Sequence, residues 1–392
     1  MYSRYKANSH NATLSLKSVF TIFIVLLSFI SSTIAVISSS ELKSHFTSQT
    51  LNEWIDEFPT ESLVYLIGLE NNYFKQGLPS ESRPPSLSSI ALELFTSIQF
   101  GDIRSLLGSE IPGYKIYDTK ILVAGEGTDY TTLPIESAAP LEVLLQEREA
   151  SIENLNKLDT NENENTKPKP PINTTNGRKV AYIYHSHSRE SFLPYLKGET
   201  DPDKAHNSKI NITMVGQKLG EALEERGIGT EVDTTDIISL LNTRNLSYYN
   251  AYNVAREVVE TATSENKDLN FLFDIHRDAQ PKEVTTATIN GKAYARLFFI
   301  IGTDHKNYEK NLNFAKEINT QIEKKYPGIS RGVLEKNKSQ GNGVYNQDLS
   351  PNSIIIEMGG VGNNLEELYR TTEALADVIS EYYWNEQKVN AE

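Results

Sequence analysis

From Arg178 to the end of the chain, short apolar, β-prone runs alternate with segments of helical periodicity. Strand–helix alternation of this kind requires right-handed crossovers and yields a mostly parallel sheet covered by helices on both faces. The runs that read as strands are Val180–Tyr184, Gly229–Val232, Leu269–Ile275, Arg296–Ile301 and Ser353–Glu357. They are continuous rather than alternating in polarity, as burial on both faces demands. Between them, Asn211–Arg226 places Ile212, Val215, Leu219 and Leu223 on one helical face, with Gly227 as the C-cap. Further helices are predicted at Tyr249–Thr263, Lys310–Lys325 and Leu365–Tyr383, the last with Asn364 as N-cap and Glu366 and Glu367 in its first turn. The fold class is α/β.

Three of the strands stop abruptly at reactive side chains. The first runs into His185, Ser186, His187, Ser188, Arg189 and Glu190; the second into Asp274, His276, Arg277 and Asp278; the third into Glu357, Gly359 and Gly360. In a parallel sheet these ends share one edge, where α/β folds bind ligands. The chain has no cysteine and only seven histidines, so a metal must be held by imidazole and carboxylate, the ligand set of catalytic zinc. His187, His276 and a nearby carboxylate can supply such a set. Glu357, set behind three isoleucines, is hard to explain by packing and suits a general base. His185 reads as a supporting residue. Arg277 either polarises a substrate carbonyl or pairs with a neighbouring acid.

The N-terminal end sets the expected compartment. Arg4, Lys6 and Lys17 precede an uncharged run, Val19–Ile37, and the first acidic residue is Glu41. An apolar run of roughly 20 residues can cross a bilayer as a helix, and the basic flank keeps the N-terminus inside. The predicted order is therefore a cytoplasmic N-terminus at 1–18, a single-pass anchor at 19–37 and an extracytoplasmic region at 41–146. That region is largely helical, with a β-like stretch at Tyr114–Val123. A spacer rich in Asn, Lys and Pro follows at 147–177, then the catalytic domain at 178–386. The alternative at the N-terminus is a cleaved signal peptide. The net charge of −14 argues against a nucleic-acid partner.

The stretches HSHSRES (His185–Ser191), DIHRDA (Asp274–Ala279), YPGISRGV (Tyr326–Val333) and YNQDLSPNSIIIEMGG (Tyr345–Gly360) resemble the stage II sporulation protein P family. The layout of anchor, helical region, spacer and C-terminal domain matches that family too. Its C-terminal domain is in turn similar to zinc-dependent N-acetylmuramoyl-L-alanine amidases. The resemblance implies a membrane-anchored peptidoglycan hydrolase in the forespore septum during engulfment, working beside the sporulation proteins D and M. It implies cleavage of the muramoyl-L-alanine amide, with endopeptidase activity on peptide crosslinks also ascribed to the family. It assigns Zn²⁺ to His187 and His276 and the general base to Glu357. The third ligand departs from the amidase pattern, which has a glutamate where this chain carries Ala205, His206 and Asn207. Glu190 is the assignment made here, with His206 and Glu199 as substitutes. A non-catalytic wall-binding scaffold and a zinc carboxypeptidase acting on stem peptides are the competing readings.

Overall fold

Among the described residues nine strands form in chain order: β1 (Lys120–Ala124), β2 (Ala181–Tyr184), β3 (Thr230–Val232), β4 (Phe271–Asp278), β5 (Thr286–Ile289), β6 (Lys292–Ala295), β7 (Leu297–Gly302), β8 (Ser330–Lys336) and β9 (Asn352–Gly360). The helices that matter for packing are α1 (Ile212–Glu225), α2 (Ile237–Thr243), α3 (Ala251–Glu265), α4 (Tyr308–Lys325) and α5 (Leu365–Val389). The computed structural model describes residues 120–137, 141–151, 154, 171–306 and 308–389, all within one compact unit, Leu107–Glu392. The predicted anchor at 19–37 and the predicted helical pieces at 41–100 lie outside the described residues. Among the described residues no helix is long and apolar enough to cross a membrane.

Seven of the strands make one mixed sheet in the order β1-β8-β7-β9-β4-β2-β3. The pairs β2/β3, β2/β4, β4/β9 and β7/β8 are parallel, whereas β1/β8 and β7/β9 are antiparallel. The sheet is thus α/β with helices on both faces, but mixed rather than nearly all parallel. β5 and β6 form a separate antiparallel hairpin. Its turn, Asn290-Gly291, has both residues at positive φ, the geometry that suits the twist of a two-residue hairpin.

Side chains alternate across each strand with period two, and this sorts the molecule into an apolar side and a chemical side. On one face Ile183, Phe271, Phe273, Ile275, Phe299, Ile354 and Ile356 pack beneath α1, α4 and α5, meeting Val215, Leu219, Ile318, Leu375 and Ile379. Leu219 and Leu375 are fully buried, each contributing roughly 1.5–3 kcal/mol by leaving water. On the other face Tyr182, Tyr184 and Leu272 pack under α2 and α3, against Ile237, Leu241, Val254 and Val259. The intervening residues of β4 on this second face are Asp274 and His276, and on β9 the equivalent residue is Glu357. The strands that form the apolar core therefore also fix where the polar groups emerge.

The helix termini follow sequence rules. Asn211 caps α1 by accepting from the Thr213 N–H at 3.0 Å. At α5, Asn364 accepts from the Glu367 N–H at 2.9 Å while the Glu367 carboxylate accepts from the Asn364 N–H at 3.2 Å, a reciprocal box that satisfies two orphan donors.

β1 and the loop after it, 125–137, come from ahead of the 147–177 stretch, yet they complete the far side of the sheet. β1 pairs with β8, where Gly332 sits at φ +120 with the Val123 carbonyl against the space a Cβ would fill. Near the same stretch, Ala150 bridges Leu196 and the Thr175 N–H donates to the Gly227 carbonyl at 2.9 Å. The loop is tied down by a buried ion pair. Arg331 on β8 and Asp278 on β4 meet at 2.5 Å with side chains 1% and 0% exposed. Asp278 also accepts from the Ile135 N–H at 2.8 Å, and Arg331 donates to the Thr132 carbonyl. Removing one partner of such a pair strands the other charge in a low-dielectric interior. Asp278→Ala is expected to destabilise the protein by about 3–5 kcal/mol, read as a lowered midpoint in urea unfolding; an unshifted midpoint would show that the pair is not a structural tie.

Candidate metal centre

β2 ends at Tyr184, and the chain turns sharply through His185–Glu190, the Glu190 N–H donating to the His187 carbonyl at 3.1 Å. The turn brings His187 and Glu190, three positions apart, to the same side. Its first residues are structural. His185 Nδ1 lies 3.0 Å from the Asp233 carbonyl oxygen, and its ring fills the space over Gly216 of α1, where an added Cβ would fall 2.1 Å from Nε2. Burial pushes this imidazole down to about 4, so it stays neutral. Ser186 donates both its N–H (2.9 Å) and its hydroxyl (2.6 Å) to the Asp274 carboxylate.

β4 runs parallel to β2 and β9, with His276 in register with Glu357. Parallel neighbours lie ~4.8 Å apart with their side chains on the same face. His187, Glu190 and His276 converge there, each 2% exposed or less, with one donor atom from each lying within 4.8 Å of the others. His187 Nδ1 is 3.5 Å from Glu190 Oε1, and His276 Nδ1 is 3.8 Å from Glu190 Oε2. Tetrahedral zinc with bonds of about 2.0–2.2 Å has donor–donor edges of roughly 3.4 Å, so the spacing fits a metal with little adjustment. His187 Nδ1 is buried without a hydrogen-bond partner, as a ligand atom would be in the absence of its ion. Outer groups hold the inner ones: His276 Nε2 is 3.1 Å from Asp274 Oδ1, an ion-pair contact, and the Arg277 backbone N–H donates to Glu190 Oε2 at 2.9 Å.

The charges respond to this crowding. Burial alone would push the Glu190 carboxyl up, but His187 and His276 outweigh it and hold it down at about 2. Burial would push His276 down, but the Asp274 carboxylate beside it raises the imidazole to about 10. In the metal-free protein a proton on His276 therefore supplies the positive charge that the carboxylates require. Glu357 behaves in the opposite way. Burial, reinforced by the Glu190 and Asp278 carboxylates and opposed by His276, pushes its carboxyl up to about 8. Its Oε2 is buried and unpartnered.

Aromatic rings wall the site. Tyr248 and Tyr252 lie 4.7 and 5.1 Å from the His187 ring, Tyr252 lies over His276 at 6.0 Å, and Tyr345 meets Tyr252 edge-on at 5.1 Å. These rings lower the local dielectric around the carboxylates and exclude water from one side.

Of the residues singled out from the sequence, the structure brings together His187, Glu190, His276 and Glu357. It does not bring the Arg277 guanidinium to them. That group is 1% exposed and donates to Ser137 Oγ and to the carbonyls of Ser191, Pro202 and Ala205. It therefore braces the 191–205 loop and is not positioned to polarise a substrate carbonyl. Glu199 faces elsewhere, accepting from the N–H groups of Thr200 and Asp201. His206 is buried, its backbone bridges Glu190 and its Nε2 has no hydrogen-bond partner, but it is not among the three residues whose donor atoms converge. Sequence reading missed Glu136, whose carboxylate lies 3.4 Å from His187 Nε2, and the three tyrosines. Tyr345 opens one of the motif stretches and was accessible in principle; the others carry no local signal.

A family model described as stage II sporulation protein P matches residues 101–380. Stage II sporulation protein P of Bacillus subtilis (strain 168) is 46% identical over 381 residues, covering 97% of this chain and 94% of the relative. Among solved structures, the CwlD amidase from Clostridioides difficile, in complex with the GerS lipoprotein, covers 53% of this chain and 99% of its own at 18% identity and a TM-score of 0.34, a similarity too slight to bear on mechanism.

Proposed function

The chain belongs to the stage II sporulation protein P family, and from that premise we propose that it is a zinc-dependent peptidoglycan hydrolase. The bond cleaved is the amide between N-acetylmuramic acid and L-alanine, with peptide crosslinks as a second target. The observation that carries this reading is the placement of one unpartnered buried carboxylate, Glu357, in register beside a His187–Glu190–His276 set whose spacing suits a metal.

Zinc, when bound, would lower the pKa of water and polarise the scissile carbonyl. Glu357 Oε2 takes a proton from the attacking water and returns it to the alanine nitrogen as the amide breaks. A carboxyl pushed toward neutrality by burial is suited to both halves of that transfer. Asp274 holds His276 in orientation, and the Arg277 backbone N–H and the fold of the His185–Glu190 turn hold Glu190. Tyr248, Tyr252 and Tyr345 keep the site dry, which strengthens each of these interactions.

In the cell the reading places the protein at the forespore septum, anchored through 19–37 and acting on the wall beside the sporulation proteins D and M. Digestion of purified sacculi, followed by mass spectrometry of the soluble products, tests the chemistry. An amidase releases whole stem peptides with a free L-alanine amino group, and a chelator abolishes the release. Single amino acids among the products would instead make the protein a carboxypeptidase. Sedimentation with sacculi and no new amino groups would make it a scaffold.

A further inference from the structure

The two imidazoles of the site are held in the same way, and the partner of one comes from an unexpected part of the chain. Both turn Nδ1 toward Glu190, at 3.5 Å from His187 and 3.8 Å from His276. Both turn Nε2 toward a carboxylate, Asp274 at 3.1 Å from His276 and Glu136 at 3.4 Å from His187. An imidazole that ligates through one nitrogen must carry its proton on the other, and an outer carboxylate fixes that tautomer and makes the ligating nitrogen more basic. Asp274 is an interior residue of β4. Glu136 lies in the loop after β1, ahead of the 147–177 stretch.

That loop presents Glu136 on a backbone fastened on both sides. Ile135 donates its N–H to Asp278 at 2.8 Å, and its carbonyl accepts from the Ala279 N–H at 2.9 Å. Ser137 is fully buried and its hydroxyl accepts from Arg277 Nη1 at 3.0 Å. Upstream, the Leu133 carbonyl accepts from Gln280 at 2.8 Å, and the Leu133 side chain packs against Phe298 and Leu334. Residues 277–280 at the end of β4 thus grip the loop directly beyond His276. Among the described residues the Glu136 carboxylate makes no ion-pair contact other than the one with the His187 ring.

We propose that Glu136 is the positioning carboxylate of His187, so that the segment ahead of the 147–177 stretch is an integral part of the metal site. The proposal rests on the zinc reading above. A chain lacking this loop would keep all three ligands but hold one of them in the wrong tautomer for part of the time.

The test uses the full chain with Glu136→Gln and Glu136→Ala, and reads zinc affinity by competition with a chromophoric chelator. Both variants are expected to bind zinc about 10–100-fold more weakly, with Gln losing less because its amide oxygen can accept from Nε2–H. Their unfolding midpoints in excess chelator should match that of the parent. A second readout is ¹⁵N NMR of His187 in the metal-free protein, at a pH where the ring is neutral. Glu190 at Nδ1 and Glu136 at Nε2 compete for the ring proton, so the parent should carry a larger share of it on Nε2 than the Ala variant, in which the Nδ1 tautomer facing Glu190 gains. Unchanged affinity in both variants overturns the proposal, as does an unmoved His187 proton. Complete failure to retain zinc at stoichiometric loading would make Glu136 a ligand and overturn the outer role. If the parent itself takes up no zinc, the metal reading falls, while the His187 spectrum still decides whether Glu136 governs its tautomer.

Discussion

Glu357→Gln should lower hydrolysis of purified sacculi by roughly 10²–10⁴-fold, the usual worth of a positioned general base, with zinc content unchanged. The amide is nearly isosteric with the carboxyl and Glu357 is not among the three converging donors, so the variant separates proton transfer from metal holding. Full activity would remove Glu357 from the mechanism. The same variant carries an independent stability signature. Because burial pushes the folded carboxyl up to about 8 from 4.5, the parent is favoured while Glu357 is protonated in both the folded and unfolded states. That contribution is complete below the unfolded value and is lost as pH rises through about 8. With chelator present, Glu357→Gln should therefore be more stable than the parent above pH 8 and nearly equal to it at pH 4. A variant with lost function and raised alkaline stability is what a residue retained for chemistry should give.

His276→Ala should abolish stable zinc loading, measured by plasma emission after gel filtration, and hydrolysis with it. Two ligands cannot hold a catalytic zinc that normally takes three. Unchanged stoichiometry would take His276 off the ligand list. The pH dependence of the parent gives a second check. His276 is raised to about 10 in the metal-free protein, where Asp274 overcomes the burial that would lower it. Its pairing with Asp274 therefore stabilises the metal-free fold fully below the unfolded value near 6.5, and this is lost as pH rises through about 10. The destabilisation caused by His276→Ala, measured with chelator, should be largest in mildly acidic solution. Zinc must displace this proton, so affinity in the parent should climb steadily from pH 6 upward.

How much of this was legible in the sequence depended on whether the deciding forces were local. β2, β4, β7 and β9 were readable because each is a continuous apolar run, which follows from burial on both faces. Their reactive ends were readable for the same reason: polar residues interrupting such a run are conspicuous. β8 was not. Ser330-Arg331-Gly332-Val333 has little intrinsic strand character, and it is a strand because β7 and β1 supply its ladder and Asp278 neutralises Arg331. The antiparallel placement of β7 against β9 was equally hidden, since chain order says nothing about direction once a hairpin such as β5–β6 intervenes. In the site, His187 and His276 stood out by type, and Glu357 by its incongruous setting. Arg277 was visible as a charged residue in the right motif, but its four acceptors come from 137 and from 191–205, far away in sequence. Glu136 had no signal, because its meaning lies in a neighbour some fifty positions on.

The packing of the loop after β1 also bears on how the chain can be divided. A break introduced between residues 155 and 170 would not separate an accessory region from an enzyme. It would leave the sheet's edge strand, the grip on Asp278 and Arg331, and the carboxylate at His187 on one polypeptide, with every other site residue on the second. The two fragments are halves of a single hydrophobic and ionic jigsaw, so function in a split protein would depend on their concentration, as it does for a heterodimer.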